Sequence, residues 1–178
     1  MKTGLLLVVM ISAMLVASTT IYAYEGSTHD AIATLKDVKG NTVGLANFTE
    51  DARGLVRINV NVSGLTPGLH GIHIHNKGNC TRPSFISAGE HYNPLSKEHG
   101  LNNSKGSHAG DLPNIEVSED GMGHMNIATT LVTLSPGPTT LFTANGTSLV
   151  IHANPDDEIT NPAGNSGLRV ICGVIEKK

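Results

Sequence analysis

Short runs of alternating apolar and polar residues recur along most of the chain. The segment Leu55–Val62, with the sequence LVRINVNV, alternates as expected of a strand with one buried face. Glycine, proline and asparagine cluster between such runs, and no segment keeps a helical period. The pattern therefore predicts an antiparallel β-sandwich or β-barrel. Comparable runs occupy Ala31–Lys36, Gly71–His75, His124–Thr129, Ser148–His152 and Leu168–Ile175.

Two long stretches interrupt this pattern, one from Asn76 to about Pro113 and the other from Asn154 to Ser166. Irregular loops of this length are uncommon in a compact domain unless they are functional or disordered. The first stretch contains a cysteine and several histidines, so we expect a metal ion and a disulfide bond to order it.

The first residues have the composition of a secretory signal peptide. Lys2 precedes an apolar run, Leu5–Ala17, and a small residue, Ala23, stands at a suitable cleavage point. The run is shorter than the roughly 20 apolar residues of a membrane-spanning helix, although an uncleaved N-terminal anchor is the alternative. We predict a signal peptide over residues 1–23 and one domain over residues 24–178, secreted into the extracellular space or periplasm without a membrane span.

Composition argues against a nucleic-acid-binding protein. The 178 residues carry a formal net charge of −3, which becomes −4 once the leader and its one lysine are removed. The chain has neither a basic run nor a cluster of stacking aromatic residues. Five Asn-x-Ser/Thr sequons are glycosylation acceptors only in a host that has the machinery. They are Asn47, Asn61, Asn79, Asn102 and Asn145.

The chain has two cysteines, Cys80 and Cys172. In an exported protein thiols oxidise, so a single disulfide bond is expected, with two free buried thiols as the alternative. Closing so long a loop would stabilise the fold by about 4 kcal/mol in the chain-entropy model.

Six of the nine histidines form a series with one aspartate. Imidazole nitrogen is a common ligand for zinc and copper, whereas magnesium and calcium prefer oxygen. Strand periodicity places the first two histidines on one face, although such a pair alone is equally consistent with two surface histidines. The members are His73, His75, His91, His99, His108, Asp111 and His152.

The loop part of the series is the more specific. His91, His99, His108 and Asp111 offer three nitrogens and one oxygen, the donor set of a closed tetrahedral zinc site. The strand histidines would then give a second metal an all-nitrogen set, for which copper is the leading candidate.

Four segments of the sequence resemble the signature segments of Cu/Zn superoxide dismutases. They occur in the family order and with family-like spacing over nearly all of residues 24–178. The resemblance implies an all-β Greek-key β-barrel or sandwich of about eight antiparallel strands with two long functional loops. The segments are GLHGIHIH at Gly68–His75, GEHYNP at Gly89–Pro94, HAGDL at His108–Leu112 and GNSGLRVICGVI at Gly164–Ile175.

The resemblance also implies two metal-binding sets that share one residue. His91 would bridge both ions, which it can do only as an imidazolate. Copper would be bound by His73, His75, His91 and His152. Zinc would be bound by His91, His99, His108 and Asp111.

Two further residues match functional positions of the family. Asp156 matches an aspartate that links a copper histidine to a zinc histidine and fixes their orientation; a solvated loop acid is the alternative. Arg169 matches the arginine at the mouth of the copper channel, where it would attract superoxide; an arginine that bonds loop carbonyls is the alternative. Among the other histidines, His70 is predicted to be a hydrogen-bonded core residue, and His29 and His124 are predicted to be exposed without a role.

The sequence departs from the family in two places. The segment Asp157–Gly164 is shorter than the usual electrostatic loop and contains no lysine. Cys80 stands farther before His91 than in cytosolic eukaryotic members, a placement similar to that in bacterial secreted members. A homodimer is compatible with the resemblance, but the subfamilies assemble differently.

By this resemblance the chain is expected to be a superoxide dismutase, an oxidoreductase that converts two superoxide ions to oxygen and hydrogen peroxide. Copper would cycle between Cu(II) and Cu(I), His91 would leave the reduced copper and take a proton, and zinc would be structural. The rival is a non-enzymatic copper-binding or copper-delivery protein on the same fold. A structural zinc protein fits less well, because it leaves His152 and Arg169 without a role.

Overall fold

The computed structural model describes residues 29–178, so the predicted signal peptide and its cleavage site lie outside the described residues. This part of the chain forms ten strands and one short 3-10 helix, Ile86–Ala88. The strands are β1 (His29–Asp37), β2 (Thr42–Glu50), β3 (Val56–Ser63), β4 (Gly68–His70), β5 (Ile72–His75), β6 (Ile115–Val117), β7 (Met122–Thr129), β8 (Ser148–His152), β9 (Arg169–Val174) and β10 (Glu176–Lys177).

The strands form a nearly closed antiparallel barrel. Their order is β4-β6-β7-β3-β2-β1-β9-β8-β5, and β10 pairs with β1 beside β9. The two ends of this path, β4 and β5, are separated only by Gly71 in the sequence, so the barrel nearly closes there. The chain passes from β3 to β4 and from β7 to β8 by connections that skip neighbouring strands, as in a Greek key. The predicted all-β barrel is confirmed, and it has eight strands if β4–β5 and β9–β10 are each counted as one interrupted strand.

Alternation along the strands places the core inside the barrel. In β3, Val56, Ile58, Val60 and Val62 are buried, and the residues between them face solvent. Burying each such side chain contributes about 1.5–3 kcal/mol. A slip of one residue in strand pairing would expose all four, so this burial fixes the register of the sheet.

The two predicted loops are present as residues 76–114 and 153–168, with the short 3-10 helix in the first. All four side chains of β5 are buried, because Ile72 and Ile74 pack in the core while the first loop covers the histidines between them. Within residues 29–178, no helix has the length and apolarity needed to cross a membrane.

Cys80 and Cys172 form the predicted disulfide bond, with their Cα atoms 5.7 Å apart. The bond joins the first loop to β9. Phe85 and Ala88 from the same loop pack with Cys172 in a small apolar cluster. The loop is therefore held to the barrel both covalently and by burial of apolar side chains.

Candidate metal centre

Strands β5 and β8 and the first loop bring four histidines together on the outer side of the barrel. His73 and His75 lie on β5, and His152 ends the paired strand β8. His91 comes from the loop and pairs with His75 through an isolated backbone bridge. All four side chains are buried. We call this group the strand cluster.

Backbone carbonyls orient two members of the strand cluster. Nδ1 of His75 lies 2.9 Å from the carbonyl oxygen of Gly89, and Nδ1 of His152 lies 3.2 Å from that of Gly167. A carbonyl oxygen only accepts hydrogen bonds, so each Nδ1 carries the hydrogen. Each Nε2 then presents a lone pair on the opposite side of the ring.

Carboxylates orient the other two members. Nε2 of His73 lies 2.6 Å from Oδ2 of Asp156, and Nδ1 of His91 lies 3.0 Å from Oδ1 of Asp111. The opposite nitrogens of both rings face the centre of the cluster.

These remaining nitrogens are buried and have no hydrogen-bond partner within the described part of the chain. Unpaired buried polar atoms are rare and call for an explanation such as a bound ion. One potential ligand atom from each of the four histidines lies within 4.8 Å of the others. The all-nitrogen donor set therefore fits copper. The four atoms are Nδ1 of His73 and Nε2 of His75, His91 and His152.

A second group, the loop cluster, shares His91 with the first. Oδ1 of Asp111 lies 3.0 Å from Nδ1 of both His91 and His99, and 3.3 Å from Nδ1 of His108. The other carboxylate oxygen accepts hydrogen bonds from the backbone N–H groups of Gly100 and His108. Three nitrogens and one oxygen thus converge in a buried position, which fits a closed tetrahedral zinc site.

Asp156 connects the two clusters. Its Oδ2 lies 2.6 Å from Nε2 of His73, and its Oδ1 lies 3.0 Å from Nε2 of His99. Asn114 fixes its backbone, donating to its carbonyl oxygen and accepting from its N–H. Gly164 packs so closely on the carboxylate that a Cβ there would overlap Oδ1. Asp156 is therefore a buried connecting residue and not a solvated loop acid.

Burial favours the neutral form of three histidines of the strand cluster. It lowers the pKa of His91 to about 4, outweighing the hydrogen bond to Asp111, and the pKa of His152 to about 3. The pKa of His75 also lies well below its usual value, mainly because of burial. Neutral imidazoles keep their lone pairs available to a metal cation near pH 7.

The loop cluster is electrostatically different. Burial opposes charge on His99, but hydrogen bonds to Asp111 and Asp156 outweigh it and raise the pKa of His99 to about 9. Burial also opposes charge on both aspartates, yet hydrogen bonds from the histidines hold their pKa values well below the usual range. Two ionised carboxylates therefore favour positive charge in this region.

A cavity of about 200 Å³, which we call the channel cavity, reaches His91 and His152. Arg169 lines its wall, together with Glu90 and parts of the second loop. Nη1 of Arg169 donates a 2.9 Å hydrogen bond to the carbonyl oxygen of Phe85. The guanidinium thus lies at the cavity and bonds a loop carbonyl, so the two predicted interpretations of Arg169 are both compatible with its position.

The disulfide bond supports this arrangement through the loop that it anchors. Phe85 and Gly89 lie shortly after Cys80, and their carbonyl oxygens accept from Arg169 and His75 respectively. Losing the bond would therefore free two orienting contacts of the site as well as the loop.

The histidines outside the series lie largely where the sequence places them. His70 is buried, with Nδ1 2.7 Å from the carbonyl oxygen of His152 and Nε2 2.9 Å from that of Thr66. His124 is exposed as predicted, whereas His29 is only half exposed.

The sequence patterns identify the side chains of both clusters but do not identify the groups that orient them. Gly89 and Gly167 act through carbonyl oxygens, which any residue has, so nothing in the residue type identifies them. Asn114 gives no periodic or motif signal. The concentration of glycines around the signature segments is the one hint that backbone lies close to the site.

Comparisons with known proteins agree with this geometry. Residues 42–175 match the family model for copper/zinc superoxide dismutase (SODC). The chain is 44% identical to superoxide dismutase [Cu-Zn] 2 of Aquifex aeolicus over 82% of this chain and 85% of that protein. It is 42% identical to superoxide dismutase [Cu-Zn] of Caulobacter vibrioides, again over 82% of this chain and 85% of the relative.

A solved structure gives the same fold. A double mutant of a SOD-like protein from Bacillus subtilis superposes with a TM-score of 0.77 at 42% identity, covering 80% of this chain and 95% of that one. The matched family model, the relatives and the fold all agree, and the chain belongs to the Cu/Zn superoxide dismutase family.

Proposed function

We propose that the strand cluster is the copper site at which superoxide is dismutated and that the loop cluster is the zinc site. The observation that carries the proposal is the set of four buried ring nitrogens that have no hydrogen-bond partner within residues 29–178, in a cluster that an open cavity reaches. Family membership makes the chain an oxidoreductase with copper and zinc as cofactors. Superoxide is the substrate, and two ions with two protons give oxygen and hydrogen peroxide.

The assignment of each metal follows from exposure as well as from donor type. Copper in the strand cluster would be bound by His73, His75, His91 and His152, and the channel cavity reaches two of these residues. Zinc would be bound by His91, His99, His108 and Asp111, whose four donors leave no place for substrate. When bound, copper supplies the one-electron exchange between Cu(II) and Cu(I), and zinc orders the loop.

His91 is the residue that would take up and release a proton during the reaction. Its Nδ1 faces the loop cluster, its Nε2 faces the strand cluster, and the residue also lines the channel cavity. Nε2 can therefore hold a proton beside the position of the substrate and release it to the reduced oxygen species. Asp156 would keep the rings of His73 and His99 in their orientations during this proton transfer.

Arg169 would attract and orient the substrate. Its guanidinium carries a fixed positive charge at the wall of the channel cavity, and its planar donors suit a small oxyanion. The non-enzymatic copper-delivery alternative is not favoured, because the chain has a full strand cluster and this arginine as well.

Export is the other part of the proposal. We infer that residues 1–23 are a signal peptide and that residues 24–178 form the secreted domain. The disulfide bond supports this, since such bonds persist mainly in oxidising compartments. N-terminal sequencing of exported protein should begin at Tyr24, and a secreted protein that retains Met1 would contradict the inference.

The test of the function combines metal analysis with kinetics on residues 24–178. We expect about one copper and one zinc per chain, rapid superoxide decay in pulse radiolysis, and loss of that activity when copper alone is removed. His152→Ala, which removes a copper donor and no zinc donor, should lose copper and activity and keep zinc. A parent protein that binds both metals without accelerating superoxide decay would refute the proposal.

A further inference from the structure

Glu90 is an exposed acid beside the shared histidine, and it borders two cavities. It lines the channel cavity and also a neighbouring cavity of about 350 Å³, which we call the side cavity. Its backbone is fixed by a 2.9 Å hydrogen bond from the N–H of Asn76 to the Glu90 carbonyl oxygen. The main chain at Glu90 is therefore fixed where the two cavities adjoin, and its side chain lines both.

Few other charged side chains line these openings in the described part of the chain. The channel cavity has Arg169 as its basic residue, and the side cavity has Lys97. Glu90 is the acidic residue of both. Burial lowers the pKa of Arg169 and the Glu90 carboxylate opposes that effect, so the two charges interact. The acid thus offsets part of the positive potential at the channel mouth.

We infer that Glu90 selects between ions at this mouth, slowing the entry of superoxide and speeding the entry of copper ions into the copper-free protein. The inference rests on the proposed function of the strand cluster. It assigns to one carboxylate opposite effects on the two ions that must pass the same opening.

The sign of each effect follows from charge. Superoxide is an anion, so a carboxylate at the mouth repels it and lowers the on-rate. Copper ions are cations, and in the copper-free protein they pass Arg169 on the way to the strand cluster. Glu90 offsets the repulsion by Arg169 and so favours the metal. Both effects should weaken at high salt, since the screening length is about 8 Å at physiological ionic strength.

The experiment compares Glu90→Gln with Glu119→Gln, which removes the same charge from an exposed turn outside both cavities. Pulse radiolysis of the copper- and zinc-loaded proteins, normalised to bound copper, gives the superoxide rate. Stopped-flow absorbance after mixing Cu(II) with the zinc-loaded, copper-free proteins gives the rate of copper uptake. At low salt we expect Glu90→Gln to raise the first rate and lower the second, each by about twofold to fivefold.

Opposite changes are the signature of an electrostatic role, because a merely structural role would shift both rates in the same direction. Rates of Glu90→Gln that match Glu119→Gln, or that both rise or both fall, would overturn the inference. A parent protein that takes up copper but leaves superoxide untouched would refute the proposed function instead. The copper-uptake arm needs no catalysis and would still test Glu90.

Discussion

His91 is the one side chain that the strand and loop clusters share, and its two ring nitrogens face different donors. The carboxylate of Asp111, in contrast, belongs to the donor set of the loop cluster alone. Substitutions at the two positions should therefore separate the metals. A change at His91 disturbs both sets of donors, and a change at Asp111 removes a donor from one.

We predict that Asp111→Ala loses zinc and retains part of its copper. Removing the carboxylate takes away the oxygen donor of the loop cluster, while the four nitrogens of the strand cluster remain. Elemental analysis should show zinc below about a tenth of the parental content. Glu119→Ala is the control and should retain both metals. Full zinc content in Asp111→Ala would show that the ligand assignment is wrong.

We predict that Arg169→Ala keeps both metals but consumes superoxide about tenfold more slowly or worse. The second loop contributes no lysine, so this guanidinium and the metals must provide most of the attraction. Arg169→Lys should keep part of the rate, since it preserves charge but loses the planar fork. Salt should slow the parent more than Arg169→Ala in pulse radiolysis. A metal-loaded alanine variant with the parental rate would assign Arg169 a structural role.

Residue types that bind metals can be predicted from the sequence, because side-chain chemistry and spacing identify them. The backbone groups that orient them cannot. Gly164 is an example, since its importance comes from its closeness to the Asp156 carboxylate and its φ of 57°. The glycine itself hints at a close approach of the backbone, but the side chain that it approaches is determined only by the folded loop.

Strands are predictable to the extent that one face is clearly apolar. β3 and β8 follow their predicted runs, whereas β2 is missed by the pattern. In β2 the inward positions include small Ala46 and the acid Glu50, so the apolar face is interrupted. The short strands β4, β6 and β10 have too few residues to show a period.

Glu50 is buried because its carboxylate binds the connection between β7 and β8, which the strand pattern does not predict. Residues 130–147 connect β7 to β8 across the barrel and bury Val132, Leu134 and Leu141. The Glu50 carboxylate accepts hydrogen bonds from the N–H groups of Leu134 and Ser135 and from the Ser135 hydroxyl. It therefore fastens this connection to the end of β2.

We predict that Glu50→Ala destabilises the protein by about 3 kcal/mol, because the buried N–H of Leu134 and the partly buried N–H of Ser135 lose their acceptor. Glu50→Gln keeps one acceptor oxygen and should lower the free energy of unfolding by less. Burial raises the pKa of Glu50, but the hydrogen bonds to Ser135 and Leu134 outweigh it and hold the pKa below its usual 4.5. The native state therefore binds fewer protons than the unfolded state, and this stabilisation is lost as the pH falls below about 4.5.

Urea denaturation of the parent and Glu50→Gln at several pH values measures this effect. The stability difference between them should shrink as the pH falls from 6 to 3, since the glutamine cannot titrate. A difference that stays constant over this range would contradict the role of the ionised carboxylate.

At the scale of the whole molecule, the barrel provides one wall of the site and the two loops provide the rest. Residues 76–114 contain none of the ten strands. The disulfide bond, apolar packing and metal ligands must therefore order this loop. Metal binding and folding are therefore coupled, because the unfolded chain has no preformed site.

We predict that removing both metals lowers the melting temperature by about 10 °C or more. Tight binding to the native state alone contributes at least about 4 kcal/mol, and a domain of this size shifts by roughly 2–4 °C per kcal/mol. Differential scanning calorimetry before chelation, after chelation and after metal return measures the shift. Equal melting temperatures in the three states would mean that the metals do not order the loop.

The measurement that tests the central claim most directly is anomalous diffraction from a crystal of the metal-loaded protein, collected at the copper and zinc edges. We predict a copper peak among Nδ1 of His73 and Nε2 of His75, His91 and His152. A separate zinc peak should lie among Oδ1 of Asp111 and Nδ1 of His91, His99 and His108. A copper peak away from the strand histidines, or a zinc peak away from Asp111, would contradict the proposed division of the site.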